Sequence, residues 1–367
     1  MRLPIPPFPQ GYFKNGCKCK RVLILRKAFF QKLAKYFLMK FLIIQTAFIG
    51  DVVLATPLIE KLRRFFPDAQ LDCLVRKGNE RLLTQHPHLR QVLVWDKKKD
   101  KYPGLLRLAR RIRRERYDVV INCQRFAASG LLTILSGAKE TLGFVKNPLS
   151  RWFSRRLPHA FGTVEAPIHE VDRNLRLIEH LTDASFEPPR LYPAPSDFAT
   201  AQALAAGQPY VCLAPTSVWW TKQFPAHKWL ALLQRMSPSQ RIFLLGGPDD
   251  RLAGEAIRQR AGQPGVVNLA GQISFLESAA LMQGAQMNYV NDSAPLHIAS
   301  SMNAAVTAVF CSTVPAFGFT PLSIRHWVLE TSLPLACRPC GLHGYQACPL
   351  GHFACAETVD TDNFPLP

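Results

Sequence analysis

The stretch FLIIQTAFIGDVVLATP, residues 41–57, decides the fold. It opens with the apolar run Phe41 to Ile44, of strand character. The polar pair Gln45-Thr46 follows, and then Gly50 and Asp51. Beyond Asp51 the apolar period changes, with Val52, Leu54, Ala55, Leu58, Ile59 and Leu62 at helical spacing. The pattern predicts a strand, a tight glycine turn and a helix, the opening unit of a parallel α/β sheet. Ligands of such sheets bind at the carboxyl ends of the strands, where residues 46–51 fall. An acid at that edge can take a proton from a substrate. Its plainer duty is to N-cap the helix.

Upstream of this stretch the chain is basic. Arg2, Lys14, Lys18, Lys20, Arg21, Arg26, Lys27, Lys32, Lys35 and Lys40 all precede the first acid, Asp51. Residues 21–39, RVLILRKAFFQKLAKYFLM, have the make-up of a basic amphipathic helix that lies on an anionic membrane. The alternative is that residues 1–38 stand outside the functional unit, whose first strand follows Met39 directly. The spread of basic residues leaves no uninterrupted apolar core for a signal peptide. The most apolar window, residues 41–59, contains Asp51 and Pro57 and reads as buried strand and helix rather than as a membrane span.

The 367 residues fit two ordinary domains, and their formal charge of +19 calls for acidic partners: phosphates, an anionic membrane surface or nucleic acid. No nucleic-acid module accompanies the charge, so nucleic acid is not expected. A second basic run, Arg107, Arg110, Arg111, Arg113, Arg114 and Arg116, lies on a predicted helix over 104–116, where a solvated face explains it as well as a binding face does.

Downstream the opening unit repeats. Strands are predicted at 71–75, 92–95, 117–122 and 142–144, with helices at 127–136 and 169–181 and a basic, loop-like segment at 145–168. Prolines 188, 189, 193 and 195 mark a linker. A second series begins with strand 210–214 and continues with strands at 241–245, 266–269, 287–290 and 305–310, each followed by a polar or glycine turn. The division is a basic extension at 1–38, an N-terminal domain at 39–183, a linker at 184–208, a C-terminal domain at 209–335 and a cysteine-rich tail at 336–367. Both domains are expected to be Rossmann-like and to face each other across a cleft.

The second half points to a phosphate-bearing ligand. Thr216, Ser217 and Thr221 offer hydroxyls and Lys222 a positive charge. Asn291-Asp292-Ser293 opens a helix whose free amides can receive an anion. Neither G-x-G-x-x-G nor a Walker sequence occurs, which argues against a standard dinucleotide or ATPase site. Of the ten cysteines, Cys73, Cys123, Cys212 and Cys311 lie in or beside apolar strands, as buried thiols do. Cys337, Cys340, Cys348 and Cys355 cluster in the tail with His343 and His352. The Cys337-x-x-Cys340 pair has zinc-ligand spacing and the other two cysteines complete a four-thiolate set. Reduced thiols that pack the tail are the favoured reading, in a cytoplasmic, reducing compartment.

Taken together, FLIIQTAFIGDVVLATPLIEKLR, YDVVINCQ, APTSVWWTKQFPAHKW, LLGGPDD and NDSAPLHIASSM resemble, in this order, the ADP-heptose:lipopolysaccharide heptosyltransferases of glycosyltransferase family 9. The resemblance covers residues 39–357. The ending CRPC…ACPLGHFAC is similar to that of the second-heptose branch. The resemblance implies a GT-B fold, with acceptor bound in the first domain and nucleotide sugar in the second. It implies inverting transfer from ADP-L-glycero-D-manno-heptose to the inner core of lipopolysaccharide, either Kdo–lipid A or its heptosylated form. It implies no metal or other cofactor, and a peripheral place on the cytoplasmic face of the inner membrane. Carried over residue by residue, the general base falls on Asp51, the phosphate hydroxyls on Thr216 and Ser217, the phosphate lysine on Lys222, and the acid near sugar and phosphates on Asp292, followed by Ser293. Ala294 replaces the family's usual glycine, and Phe48-Ile49 replaces its frequent Ser-Leu. The first change keeps open a GT-B transferase that uses another nucleotide sugar or acceptor. The basic charge keeps open a non-catalytic, membrane-associated binding protein.

Overall fold

The computed structural model describes residues 39–97, 99, 101–163 and 165–367. The extension 1–38, with Cys17 and Cys19, lies outside the described residues. The first half runs β1 (Lys40–Ile44), α1 (Ile49–Val53), α2 (Thr56–Phe65), β2 (Gln70–Arg76), β3 (Leu89–Trp95), α3 (Lys101–Glu115), β4 (Val119–Asn122), α4 (Ala127–Leu135), β5 (Glu140–Phe144), β6 (Arg155–Leu157) and α5 (Glu170–Arg176). The second runs α6 (Pro195–Ala205), β7 (Tyr210–Ala214), α7 (Ala226–Gln234), β8 (Arg241–Leu244), α8 (Arg251–Ala261), β9 (Val266–Asn268), α9 (Phe275–Gly284), β10 (Asn288–Asn291), α10 (Ala294–Ser301), β11 (Val306–Phe310), β12 (His326–Glu330) and α11 (Ala354–Glu357).

Each half forms one six-stranded, all-parallel sheet. The orders are β3-β2-β1-β4-β5-β6 and β12-β11-β10-β7-β8-β9. Counted within its own half, each order is the doubly wound one, which reverses between the first and fourth strands. The strand interiors are apolar on both faces because helices cover both sides. Val211, Cys212, Leu213 and Ala214 of β7, for example, are all buried. Ligand sites are therefore expected beyond the ends of β1 and β4 in one half and of β7 and β10 in the other, where Asp51 and the Thr216–Lys222 and Asn291–Ser293 turns lie.

Local chemistry modified several sequence expectations. The helix after Gly50 is broken in two at Leu54 and Ala55, because Pro57, in the first turn of α2, has no amide to continue α1. The loop 145–168 contains the short strand β6, and the linker 184–208 contains helix α6. The 169–181 helix ends at Arg176 and resumes only as a 3-10 turn, Glu179–Leu181. The segment 183–192 is strapped along α2: Lys61 Nζ donates to the carbonyls of Asp183 and Ser185, the Thr56 hydroxyl accepts Arg190 N–H, and Tyr192 OH donates to Glu60.

The cysteine-rich tail folds onto the second half. Phe353, Cys355, Ala356, Val359 and Phe364 are buried against Phe224, Trp229 and Tyr289. The four tail cysteines are free thiols. Among the described residues no group of three His, Cys, Asp or Glu side chains is gathered as a metal cage. Cys355 is taken into the apolar cluster, with Cys348 packed against its edge, and it stays within electrostatic range of Cys340, Cys348 and Cys337. No helix of the described residues is long and apolar enough to cross a membrane.

The halves are latched to one another. Glu170 N–H donates to Gly318 O at 2.8 Å, and Arg173 Nη2 to Phe317 O at 2.9 Å. His169 accepts Val171 N–H on Nδ1, which leaves Nε2 protonated to donate to Thr320 O at 3.0 Å. The Arg173 side chain is 1% exposed, pairs with Glu170 at 2.7 Å and lies between the rings of Phe161 and Phe319. Arg173→Ala takes one of two charged partners from the buried Glu170 carboxylate, leaving His159, and leaves the Ile168 and Phe317 carbonyls without their donor. It is expected to cost about 3 kcal/mol in urea unfolding, the usual scale for breaking a buried pair. A loss below about 0.5 kcal/mol, the surface-substitution range, would show that the latch does not hold the halves.

Candidate active site

Asp51 is the third residue of α1, just past the end of β1. It does not sit at the N-cap, which is Phe48. Its Oδ2 reaches back to accept Phe48 N–H at 3.1 Å, so the carboxylate helps to cap the helix while the residue stays half-buried. Burial pushes its pKa up to about 6, and the negative charge of Glu170 adds to the rise. The Phe48 amide, Lys146 and the amide of Asp51 itself pull the other way and lose. Glu170 is buried too, yet its carboxyl is held down at about 2. Desolvation opposes this, and the hydrogen bond and charge of His159, with Arg173 and Lys146, overcome it. Two neighbouring carboxyls are thus driven apart, one kept ionised and one made basic. Arg76, at the end of β2, lies over the Phe48 ring and in electrostatic range of Asp51.

In the other half Lys222 ends a 3-10 turn after β7, and Asp292 follows β10. Their side chains meet at 2.6 Å, and the Thr313 hydroxyl donates to the same Asp292 oxygen at 2.6 Å. An ammonium has three donors, so pairing with Asp292 leaves two for a ligand. Asn291 joins the two turns: its Oδ1 accepts Phe224 N–H at 2.8 Å and its Nδ2 faces the Ala214 and Thr216 carbonyls at 3.4 Å. Thr216 and Ser217 are half-buried beside this turn, with their carbonyls in use and their hydroxyls making no hydrogen bond among the described residues. Ser293 is the N-cap of α10, and its hydroxyl faces Asn291 O at 3.4 Å. Thr221 differs from its expected role. It is buried, and its hydroxyl is taken up by Tyr345 and Ser312.

The two sets meet at Gly50 and His297. A Cβ on Gly50 would stand 2.7 Å from His297 Cδ2, so the glycine serves close approach between α1 and α10 rather than a turn. His297 is buried, and its Nδ1 has no partner among the described residues. Burial first, then His169 and Lys222, lower its pKa to about 3 against the charges of Asp292 and Glu170, so the ring is neutral at physiological pH. Sequence reasoning missed His297, although it stands five residues after Asp292 in the same quoted motif. It also missed Glu170, which no local pattern marks. His343 in the tail lies against Trp219, ring centroids 6.3 Å apart and nearly parallel, and feels Arg125 and Lys146 of the first half as well as Lys222.

Two doubly wound halves in contact through α1 and α10 have the architecture of the GT-B fold class. The comparison with known families narrows this: residues 105–341 match glycosyltransferase family 9 (heptosyltransferase), and the chain belongs to that family. It is 27% identical over 283 residues to lipopolysaccharide heptosyltransferase 3 of Escherichia coli, covering 72% of this chain and 82% of that protein. It is 27% identical over 329 residues to lipopolysaccharide heptosyltransferase 1 of Pseudomonas aeruginosa, covering 82% and 86%. Among solved structures, the E. coli ADP-heptose LPS heptosyltransferase II superposes with a TM-score of 0.68 at 20% identity, over 84% of this chain and 92% of that one. The protein is therefore a glycosyltransferase.

If Asp51 accepts the acceptor's proton, only its ionised form works. Its raised pKa then sets the acid limb: kcat/KM should fall as pH drops through about 6, with unit slope, and level off above it. A profile flat down to pH 4.5 would remove Asp51 from the proton transfer.

Proposed function

We propose that the protein transfers a heptose, with inversion, from ADP-L-glycero-D-manno-heptose to the inner core of lipopolysaccharide. The observation that carries the reading is the placement of a basic, half-buried carboxylate, Asp51, across the α1–α10 contact from the Lys222–Asp292 pair. Asp51 takes the proton of an acceptor hydroxyl as that oxygen attacks the anomeric carbon. The carbon's bond to the ADP oxygen breaks as the new one forms, and attack from the opposite face inverts the centre. The leaving diphosphate gains charge, which Lys222, the hydroxyls of Thr216 and Ser217, and the amides at the start of α10 after Asp292 and Ser293 stabilise.

The names of the relatives support lipopolysaccharide as acceptor. The acceptor in this reading is Kdo–lipid A or its heptosylated form. Such an acceptor is anchored in lipid, so the enzyme works at the cytoplasmic face of the inner membrane, and a net charge of +19 suits an anionic surface. The domain division at 39–183 and 209–335 gives acceptor and donor one half each.

Two variants test the roles. Asp51→Asn keeps size and leaves an oxygen for the Phe48 amide, and turnover should fall about 10²-fold or more with ADP affinity little changed. Near-normal turnover would sink the assignment. Lys222→Ala should weaken ADP in calorimetry and slow transfer, because the lysine meets charge in both ground and transition states. Equal affinity in variant and parent would take Lys222 out of the site. Lysine and amides supply the countercharge in this scheme, so transfer should continue in excess chelator, and a strict divalent-ion requirement would contradict it. A panel of nucleotide sugars run alongside tests the donor, where Ala294 stands in place of glycine.

A further inference from the structure

Thr221 has no capacity left for a phosphate. A hydroxyl carries one proton and two lone pairs. Thr221 Oγ1 accepts Tyr345 N–H at 2.7 Å and the Ser312 hydroxyl at 3.0 Å, and lies 3.2 Å from Tyr345 O as donor. Its own N–H also goes to Tyr345 O, at 3.1 Å. The turn Trp220–Lys222 is thereby stitched to the tail through one residue, and the next residue is Lys222. The tail backbone fits tightly here. Gly344 has φ +76°, and a Cβ on it would lie 2.7 Å from Thr221 Oγ1, 3.0 Å from Ser312 Oγ and 3.4 Å from Lys222 Cγ.

The tail also reaches the partner of Lys222. Arg338 donates through Nε to Cys311 O at 2.8 Å, and through Nη2 to Thr313 O at 2.7 Å and Phe310 O at 3.1 Å, while Glu330 balances its charge at 2.6 Å. Cys340 N–H donates to Ser312 O at 2.8 Å. These bonds fix the loop after β11, whose Thr313 hydroxyl holds Asp292. One circuit results: Tyr345 to Thr221, then Lys222, Asp292 and Thr313, and back to Arg338.

We propose that the C-terminal tail is a clamp that positions the Lys222–Asp292 pair for the donor diphosphate, with Thr221 and Arg338 as its positioning residues. The proposal rests on the donor-site reading of that pair. The tail thus contributes to donor affinity without supplying the phosphate-binding charge.

The test compares Thr221→Val, Thr221→Ser, Arg338→Gln, Phe364→Leu and Lys222→Ala in the full chain, by ADP calorimetry, by KM for donor and acceptor, and by thermal unfolding. Thr221→Val keeps the side-chain shape but leaves Tyr345 N–H and Ser312 Oγ without their acceptor. It should weaken ADP and raise donor KM about tenfold, with acceptor KM unmoved. Thr221→Ser should restore both, and Arg338→Gln should follow Thr221→Val. Phe364→Leu, in the tail's apolar core, where Phe364 packs on Phe224 without a hydrogen bond to Thr221, Lys222 or Asp292, should lower the melting temperature and leave ADP affinity alone. If Lys222→Ala weakens ADP and Thr221→Val and Arg338→Gln do not, the clamp is refuted and the donor site stands. If Phe364→Leu weakens ADP as much as Thr221→Val does, the tail acts only through general stability and the clamp is again refuted. If Lys222→Ala has no effect, the donor-site reading fails first.

Discussion

The approach of Gly50 to His297 is the constraint on which the arrangement depends. Each doubly wound half gathers its polar turns at its own switch point, Asp51 in one half and the Lys222–Asp292 pair in the other. The contact of α1 with α10 turns the two switch points towards one another, and it requires that position 50 carry no side chain. The polar latch of His169, Glu170 and Arg173 on residues 317–320 holds the same geometry from the side. An apolar cluster that includes Val52 and Val53 of one half and Leu296 and Ile298 of the other makes the joint dry.

That dryness sets the chemistry. A carboxylate in water is a weak base, and Asp51 becomes a stronger one because burial and Glu170 both disfavour its charge. Glu170 stays ionised beside it because His159 and Arg173 compensate it. The same residues therefore latch the halves and tune the base, so an interdomain contact and a proton affinity are linked in one set of side chains. In the second half the analogous economy is the tail, which completes an apolar core with Phe353 and Phe364 and reaches the loops around Lys222 and Asp292 with Arg338 and Tyr345.

Much of this was legible in order along the chain. The switch of apolar period at Gly50 and Asp51 marked a strand and a helix, and the recurrence of strand and polar turn marked a second sheet. Short-range pattern suffices there, because a parallel strand covered on both faces must be apolar throughout and its turn must be polar. Asp51, Lys222 and Asp292 were singled out because each lies in a segment that follows a strand, and the structure brings Lys222 and Asp292 into contact. Short elements without a long apolar run were not legible. Strand β6 has only three residues, two of them arginines, and β12 is half-exposed at a sheet edge.

The sequence by itself determined the two Rossmann-like halves, the positions of their polar turns and the family resemblance, because these follow from periodicity and residue type within a few positions. Only the tertiary structure decided what each polar group does. Thr221 reads as a phosphate hydroxyl by neighbourhood, and becomes a tail anchor because Tyr345, 124 residues away, takes its hydrogen bonds. Gly50 reads as a turn, and becomes a contact because His297 from the other half fills the space. The tail cysteines have zinc spacing, and the fold assigns Cys355 to an apolar core. Glu170 carries no signal, and its effect on Asp51 exists only once two distant segments are packed together. Hydrogen bonding and desolvation act through space over a few ångströms, and linear spacing does not record which segments will share that space.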